Sequence, residues 1–408
     1  MPQKLWTRDF TIITIGTVIS MLGGTLTGFA ISLLVLDYTG STFLYALFIV
    51  AYNAPKVIMP IAAGPYLDRF SRKKMIYSLD FLSSVLFIGM FFLLKYETFS
   101  YGLFLFLSAL NGAIGSVYQV AYDSLYPNLI TEGNMRKAYS ISSMIYPLAA
   151  VMTPVAAWMY DRVGVAPIFL ITAATFFTAA CFETQIRTKE THVMPLGEKF
   201  DVRRFREDFH AGVSYLRGEP GLVVITAYFA LNAMLGEGIN TMFLPYFQSS
   251  PGLGKLAYTY VMAFAVLGRL IGGTLHYRFR YPANKKLAIA IFVYVAITVL
   301  EGSLLFLPLT LMMAAEAVIG VMGITSYNIR ISGTQNYVPD DRRARFNGVF
   351  QMMTTMGSIV GPLMAGALAE AVPLRPLIAV MAAANLGAVY LTMWRGKEKV
   401  RSIYNQNL

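Results

Sequence analysis

The sequence predicts an all-α membrane protein with twelve transmembrane helices in two pseudo-symmetric six-helix bundles. Composition is the first reason. Of 408 residues, 56% are hydrophobic and only 13% charged, and the mean hydropathy is +0.56. A soluble chain carries about 25% charged residues, so lipid must solvate much of this surface. The second reason is run length. Phe10 to Leu36 and Tyr101 to Tyr122 contain no charge, and a hydrocarbon core of about 30 Å is crossed by about 20 helical residues. Alternating ten-residue segments of the barrel type are absent, which leaves helices as the spanning element. The third reason is an internal repeat. An offset of 208 residues aligns Gly64 with Gly272, Leu67 with Leu275, Lys137 with Arg345 and Pro154 with Pro362. One register held over that distance implies two copies of one unit, facing each other across a central cavity.

Taken in order, the first six apolar segments run over 9–36, 42–63, 75–95, 101–123, 138–160 and 165–183. The second six cover 221–246, 256–276, 287–306, 309–330, 346–371 and 375–394. This places a first bundle in 1–183, a linker in 184–220 and a second bundle in 221–408. With both termini inside, 27 of the 33 Lys and Arg residues fall on the inner side, four outside and two (Lys56 and Arg269) within spans. That asymmetry is the positive-inside signature. It predicts a multi-pass protein of the cell inner (plasma) membrane, and it assigns the net charge of +11 to topology and lipid headgroups rather than to nucleic acid. Lys4 and Arg8 precede an apolar stretch too long for a cleaved signal, so the first span is expected to be retained. In the linker, Phe205, Phe209, Val213 and Leu216 share one face, which predicts an amphipathic helix.

One cysteine, Cys181, leaves no internal disulfide and no metal cluster. There is no P-loop and no nucleophile motif. No cofactor, no metal and no enzymatic activity are expected, and the chain is expected to act as a monomer.

Between spans 2 and 3 stands Gly64-Pro-Tyr-Leu-Asp-Arg-Phe-Ser-Arg-Lys-Lys74. Gly64 permits close helix contact, Asp68 ends span 2, and Arg69, Arg72 and Lys73 form a basic cluster. A carboxylate and cations at facing helix ends can latch one side of a bundle shut. The stretch resembles the G-x-L-x-D-R-x-G-R-[KR] signature of the major facilitator superfamily, with Ser71 where that family usually has Gly. The resemblance implies the major facilitator fold and secondary transport by alternating access. The second-half copy, Gly272 to Arg278, lacks the acid, so the latch is expected to be asymmetric. Span 11 carries Gly357, Gly361, Pro362 and Gly366, small residues that let helices pack closely beside a bend. This pattern is similar to one that antiporters of the superfamily carry in span 5, where this chain has only Pro147 and Pro154. Residues Pro127 to Ala138, with Asp80, resemble the branch of macrolide and multidrug efflux proteins, enterobactin exporters and lysophospholipid transporters.

Ionisable groups inside spans are expensive and therefore candidate functional sites. Glu237, Glu316, Asp80 and Asp123 are the candidates for proton coupling. Lys56 and Arg269 are the intramembrane cations, and Asp80 with either of them would make a cytoplasmic gate cluster. The three histidines, His192, His210 and His276, are placed in loops. Tyr52, Tyr118, Tyr146, Asn232, Met234, Asn240 and Tyr327 are candidate cavity liners, since aromatic and methionine side chains adapt to varied ligands. The expectation is a proton-coupled exporter of an amphipathic small molecule such as a drug or macrolide, with protons and membrane lipids as its other partners. The alternatives are a siderophore exporter, a lysophospholipid flippase, or a non-transporting receptor on the same scaffold.

Overall fold

The structure is a computed structural model. It describes residues 4–57, 71–131, 151–188, 202–278 and 281–405, with isolated positions 59, 134, 138, 141, 142, 145 and 149. Among the described residues the regular secondary structure is entirely helical. Among them, ten helices are long and apolar enough to cross a membrane, and a shorter apolar helix covers Thr42–Val57. The ten correspond to predicted spans 1, 3, 4, 6 and 7–12. Span 2 is described as far as Val57, and span 5 chiefly over Met152–Val163.

In the first half the helices are α1 (Arg8–Thr39), α2 (Thr42–Asn53), α3 (Arg72–Lys95), α4 (Tyr101–Leu125), α5 (Met152–Val163) and α6 (Val165–Glu183). The linker helix α7 (Val202–Gly218) follows. The second half has α8 (Pro220–Ser249), α9 (Lys255–Arg278), α10 (Lys286–Ser303), α11 (Leu309–Tyr337), α12 (Asp340–Ala369) and α13 (Leu374–Val389), and ends with a short helix, α14 (Lys397–Tyr404). The chain clusters into two compact units: Met1–Gly40 with Phe48–Phe200, and Ser41–Leu47 with Asp201–Leu408.

Local chemistry sets the helix ends. The Thr7 hydroxyl accepts from Phe10 N at 3.2 Å and caps α1, which stops at Gly40 in the left-handed region (φ 62°). Ser71 accepts from the amide of Lys74 at 3.3 Å and caps α3. Its φ of −61° asks nothing of glycine, so the serine supplies a helix start where the family signature has a flexible residue. Pro220 occupies the first turn of α8 and Pro373 precedes α13, where a missing N–H costs no helical bond.

Glycines set how closely the helices approach. A Cβ on Gly112 of α4 would overlap the carbonyl oxygen of Tyr52, and one on Gly320 of α11 would overlap that of Ala265 in α9. These glycines are themselves 208 residues apart, so the close packing of spans 2 and 4 recurs in spans 8 and 10. On α12, Gly357 and Gly361 abut the α8 backbone at Ala230 and Met234, and Gly366 sits against Thr42, Phe43 and Ala46. The predicted packing residues therefore lie at helix contacts, with Pro362 inside the same helix.

Among the described residues of the second unit, two apolar cores stand out. One joins Leu222, Ile225, Tyr228, Tyr294 and Phe346 to Leu216 of α7 and to Val400, Ile403 and Tyr404 of α14. The other gathers around Ile239, Phe243, Phe247, Leu304 and Ile378. Predicted as an amphipathic segment, α7 inserts Leu216 while Val213 packs beside it. The C-terminal segment, by sequence only a charged tail, instead forms α14 and buries Val400, Ile403 and Tyr404 to 1% exposure or less. Asn405 just beyond it accepts from the amide of Leu287 at 2.9 Å.

Candidate functional site

Within the second unit, α8, α10 and α11 enclose a cavity of about 140 Å³. Tyr228, Asn232, Ala233, Gly236, Glu237 and Asn240 line it from α8, with Tyr294, Ile297 and Glu301 from α10 and Ser326 from α11. The α8 liners recur at intervals of three and four, which puts them on one helical face. Gly236 adds no side chain, and a Cβ there would meet nothing within 4 Å. The carboxylate of Glu237 consequently opens into the cavity, with Asn240 in hydrogen-bonding reach.

Glu237 belongs to a larger electrostatic group. The Arg269 guanidinium of α9 acts on both Glu237 and Glu316, and Glu301 experiences the charges of Glu237 and Glu316. Glu237 of α8 and Glu316 of α11 thus share one cation from α9, and Glu301 of α10 feels both of those acids. Gly268 allows this because a Cβ there would overlap the Ala317 carbonyl, so α9 and α11 run in contact beside Arg269 and Glu316. Fully ionised, the cluster would be two negative charges in excess inside a membrane protein. Of the three, Glu316 is buried, Glu301 is half-buried and Glu237 is exposed to the cavity; an uncompensated charge costs most where it is buried, so protons or a cationic ligand are the natural balance.

A neutral network adjoins the cavity. Asn385 of α13, 1% exposed, donates to Asn232 Oδ1 at 3.0 Å and to Thr298 Oγ1 at 3.1 Å. Tyr228 and Tyr294 pack ring to ring at 4.6 Å, and the Tyr294 hydroxyl meets that of Tyr404 at 3.2 Å. The tail helix therefore braces one wall of the cavity. Beside it, Arg330 stands over Phe350, Phe229 and Tyr327 at 4.8, 5.2 and 5.4 Å, a cation held by three aromatic faces.

The other predicted liners are elsewhere. Met234 puts its backbone against Gly361 and packs with the core around Ile239. Tyr327 lies under Arg330. Tyr52 carries the Lys56 ammonium 4.0 Å above its ring, and that ammonium also donates to Asn53 Oδ1 at 3.0 Å. In the first unit, Tyr118 donates to Glu183 Oε1 at 3.2 Å. Tyr146 lies outside the described residues, as do Gly64, Asp68 and Arg69 of the latch motif.

Of the remaining latch residues, Arg72 donates to the Ser124 carbonyl at 3.0 Å and Lys73 to the Thr188 carbonyl at 3.1 Å. Asp123 is exposed and accepts from Gln119 at 2.8 Å.

Two expectations need correction. Asp80 does not gather Lys56: that ammonium is engaged by Tyr52 and Asn53 on its own helix, and the charge acting on Asp80 is that of Glu183. Nor are the histidines all in loops. His210 lies in α7, and His276 sits in the last turns of α9, where its Nε2 meets Thr325 Oγ1 at 3.0 Å and the Tyr281 hydroxyl at 3.1 Å. His192 is outside the described residues.

Sequence reasoning passes over Glu301 and Glu183. Glu301 is the single charge between Leu287 and Phe306, which is signal enough. Glu183 looks in the sequence like the first residue of a polar linker.

Comparison with known proteins agrees with this architecture. The chain matches an uncharacterized MFS-type transporter, YkuC of Bacillus subtilis (strain 168), at 23% identity over 281 residues; the match covers 66% of this chain, and the chain spans 64% of that relative's length. Among solved structures, a mutant of the peptide transporter POT superposes with a TM-score of 0.73 at 13% identity, covering 99% of this chain and 98% of that one. A bacterial homologue of the iron transporter ferroportin, in its inward-facing state, gives 0.71 at 14%, covering 97% and 100%. The nucleoside transporter NupG gives 0.68 at 14%, covering 95% and 99%. At such identities these are likenesses of fold. The Major Facilitator Superfamily profile matches residues 13–330. With that match, the helical architecture and the ten membrane-length helices, this multi-pass membrane protein belongs to the major facilitator superfamily.

Proposed function

We propose that the protein is a secondary active transporter that exports an amphipathic small molecule, drug- or macrolide-like, in exchange for protons by alternating access. The observation that carries this reading is the cavity bordered by Glu237 and Glu301 and tied electrostatically to Glu316 and Arg269. An excess of carboxylates over cations beside a cavity is a group whose charge can be balanced by a proton in one state and released in the other. The liners Tyr228, Tyr294 and Ile297 supply apolar and aromatic walls, while Asn232, Asn240 and Ser326 supply orienting polar atoms. Such a lining suits a cargo with both apolar and polar parts.

Cargo and coupling are tested together. A thermal-shift screen of macrolides, siderophores and lysophospholipids identifies a ligand that prefers the folded protein. That ligand is then loaded into proteoliposomes with an imposed pH gradient. Uphill movement should stop when an ionophore collapses the gradient; accumulation that continues unchanged would sink the proton-coupled reading.

A further inference from the structure

The first unit holds a second acidic site that the cavity in the other half does not use. Asp80 of α3 and Glu183 of α6 are 2% and 0% exposed. Their helices pack along each other, fixed by the Ser84 hydroxyl donating to the Ala173 carbonyl at 2.8 Å. Each carboxylate leaves one buried oxygen, Asp80 Oδ2 and Glu183 Oε2, without a hydrogen-bond partner among the described residues. The two side chains lie within electrostatic reach of each other.

Among the described residues, the surroundings hold no countercharge. From α4, Tyr118 donates to Glu183 Oε1 at 3.2 Å, with Tyr122 stacked on its ring. From α1 come Gly16 and Thr17. An added Cβ on Gly16 would stand 3.0 Å from Glu183 Oε1, and the Thr17 hydroxyl is 3.5 Å from that of Tyr118. Of the ions at that end of the unit, Arg72 donates to the Ser124 carbonyl, Lys73 donates to the Thr188 carbonyl, and Asp9 accepts from the amides of Arg187 and Thr188. Two buried carboxylates with orphaned oxygens and no facing cation cannot both stay ionised at low cost. A single proton would supply a donor for an orphaned oxygen and remove the repulsion.

We propose that Asp80 and Glu183 form a buried proton site in the first half, one proton shared between the two carboxylates. It is separate from the cavity of Glu237 and Glu301, so it stands or falls independently of the transport reading. Glu183 is the last residue of α6, and Asp80 lies two turns into α3. The site thus lies toward the end of the unit that carries Ser71 and Thr188, the end expected to face the cytoplasm.

The test uses the full chain in lipid nanodiscs. Infrared spectra at neutral pH should contain a protonated-carboxyl stretch that Asp80→Asn/Glu183→Gln lacks; a spectrum with that band intact would overturn the proposal. If the double variant does not fold, Asp80→Asn and Glu183→Gln are compared singly. Each should shift or lose the band, and a band at the wild-type position in both would contradict the pair. Melting supplies an independent readout. A folded state that binds a proton the unfolded chain has released loses stability as pH rises. Wild type should therefore lose more melting temperature than the double variant between about pH 6.5 and about pH 8.5, and equal losses would count against the site. Sodium added at the alkaline end should leave wild-type melting unmoved. A sodium-dependent rise confined to wild type would replace the proton with a metal cation and overturn the assignment.

Discussion

The two halves keep the same helix packing and differ in their buried chemistry. Gly112 and Gly320 stand at equivalent positions, and each lets a neighbouring backbone come into contact. The acids are not repeated. At the 208-residue offset, Glu237, Glu301, Glu316 and Arg269 of the second half correspond to Phe29, Leu93, Ser108 and Ile61 in the first. Asp80 and Glu183 correspond to Ala288 and Leu391. Close packing was retained on both sides because a small residue at a helix crossing has few substitutes. Charge inside a span is costly wherever it occurs, so it persists only where a half has a use for it. In the second half two acids share a cation, with a third acid beside them at a cavity. In the first, two acids share a buried site that no cation faces among the described residues.

Closure of each half gives the largest expected contrast. The second half closes with a helix that inserts Ile403 at 1% exposure, whereas after α6 the first half makes a turn that buries Ile186 at 4%. Ile403→Ala should cost about 3–4 kcal/mol through the cavity it leaves, read as a lowered melting temperature. Ile186→Ala should cost less, and equal losses would break the contrast between a helix and a turn.

Packing is expected to respond alike in both halves. Gly112→Ala and Gly320→Ala should each destabilise by about 2 kcal/mol, because the clash is with backbone that cannot rotate away. Gly115→Ala and Gly323→Ala are also 208 residues apart but face open space. They should be neutral or stabilising by up to about 1 kcal/mol from helix propensity alone. If one member of either pair behaves unlike its counterpart, the repeat does not extend to packing.

The sharing of one cation in the second half predicts a smaller functional effect. Arg269→Gln should lower proton-driven transport by about tenfold, a loss of about 1.4 kcal/mol, while Lys56→Gln leaves it near wild type. Equal loss in the two variants would return Lys56 to the coupling machinery.

The smallest effect concerns Glu370. Hydrogen bonds from the Ser41 hydroxyl at 2.6 Å and the Phe43 amide at 3.1 Å hold its carboxyl below the usual carboxylate range. A depressed acid stabilises the fold above its ordinary pKa and stops doing so as pH falls through the lowered value. Glu370→Gln should melt slightly below wild type at about pH 7, and the difference should vanish under acid conditions. A difference that grows in acid would contradict this.

Much of the fold is legible because a membrane span announces itself by length and lack of charge. The small residues of span 11 are legible too, since Gly357 and Gly361 repeat at the interval that brings one helix face to another. Glu237 stands out for a similar reason, as a lone acid between two glycines. What one chain's pattern does not encode is which neighbour a buried group meets. Depth alone groups Arg269 with Asp80, yet the helix that packs on its own is α11, which brings it Glu316. Glu183 is hidden by its place: the predicted span ends on it at the edge of a polar interval, yet it is fully buried at the end of α6. The tail helix is hidden because Lys397, Lys399 and Arg401 read as a topological charge run, while Val400 and Ile403 alternate with them on the opposite face.

The central claim is that the second-half acids couple proton movement to transport. Glu237→Gln and Glu301→Gln, reconstituted beside wild type, allow two readings of the same cargo: exchange at equal pH, and accumulation driven by a pH gradient. The account predicts that both variants keep exchange within about threefold of wild type, a difference of less than about 1 kcal/mol, and lose gradient-driven accumulation. Accumulation that retains the wild-type dependence on the pH gradient in both variants would contradict it.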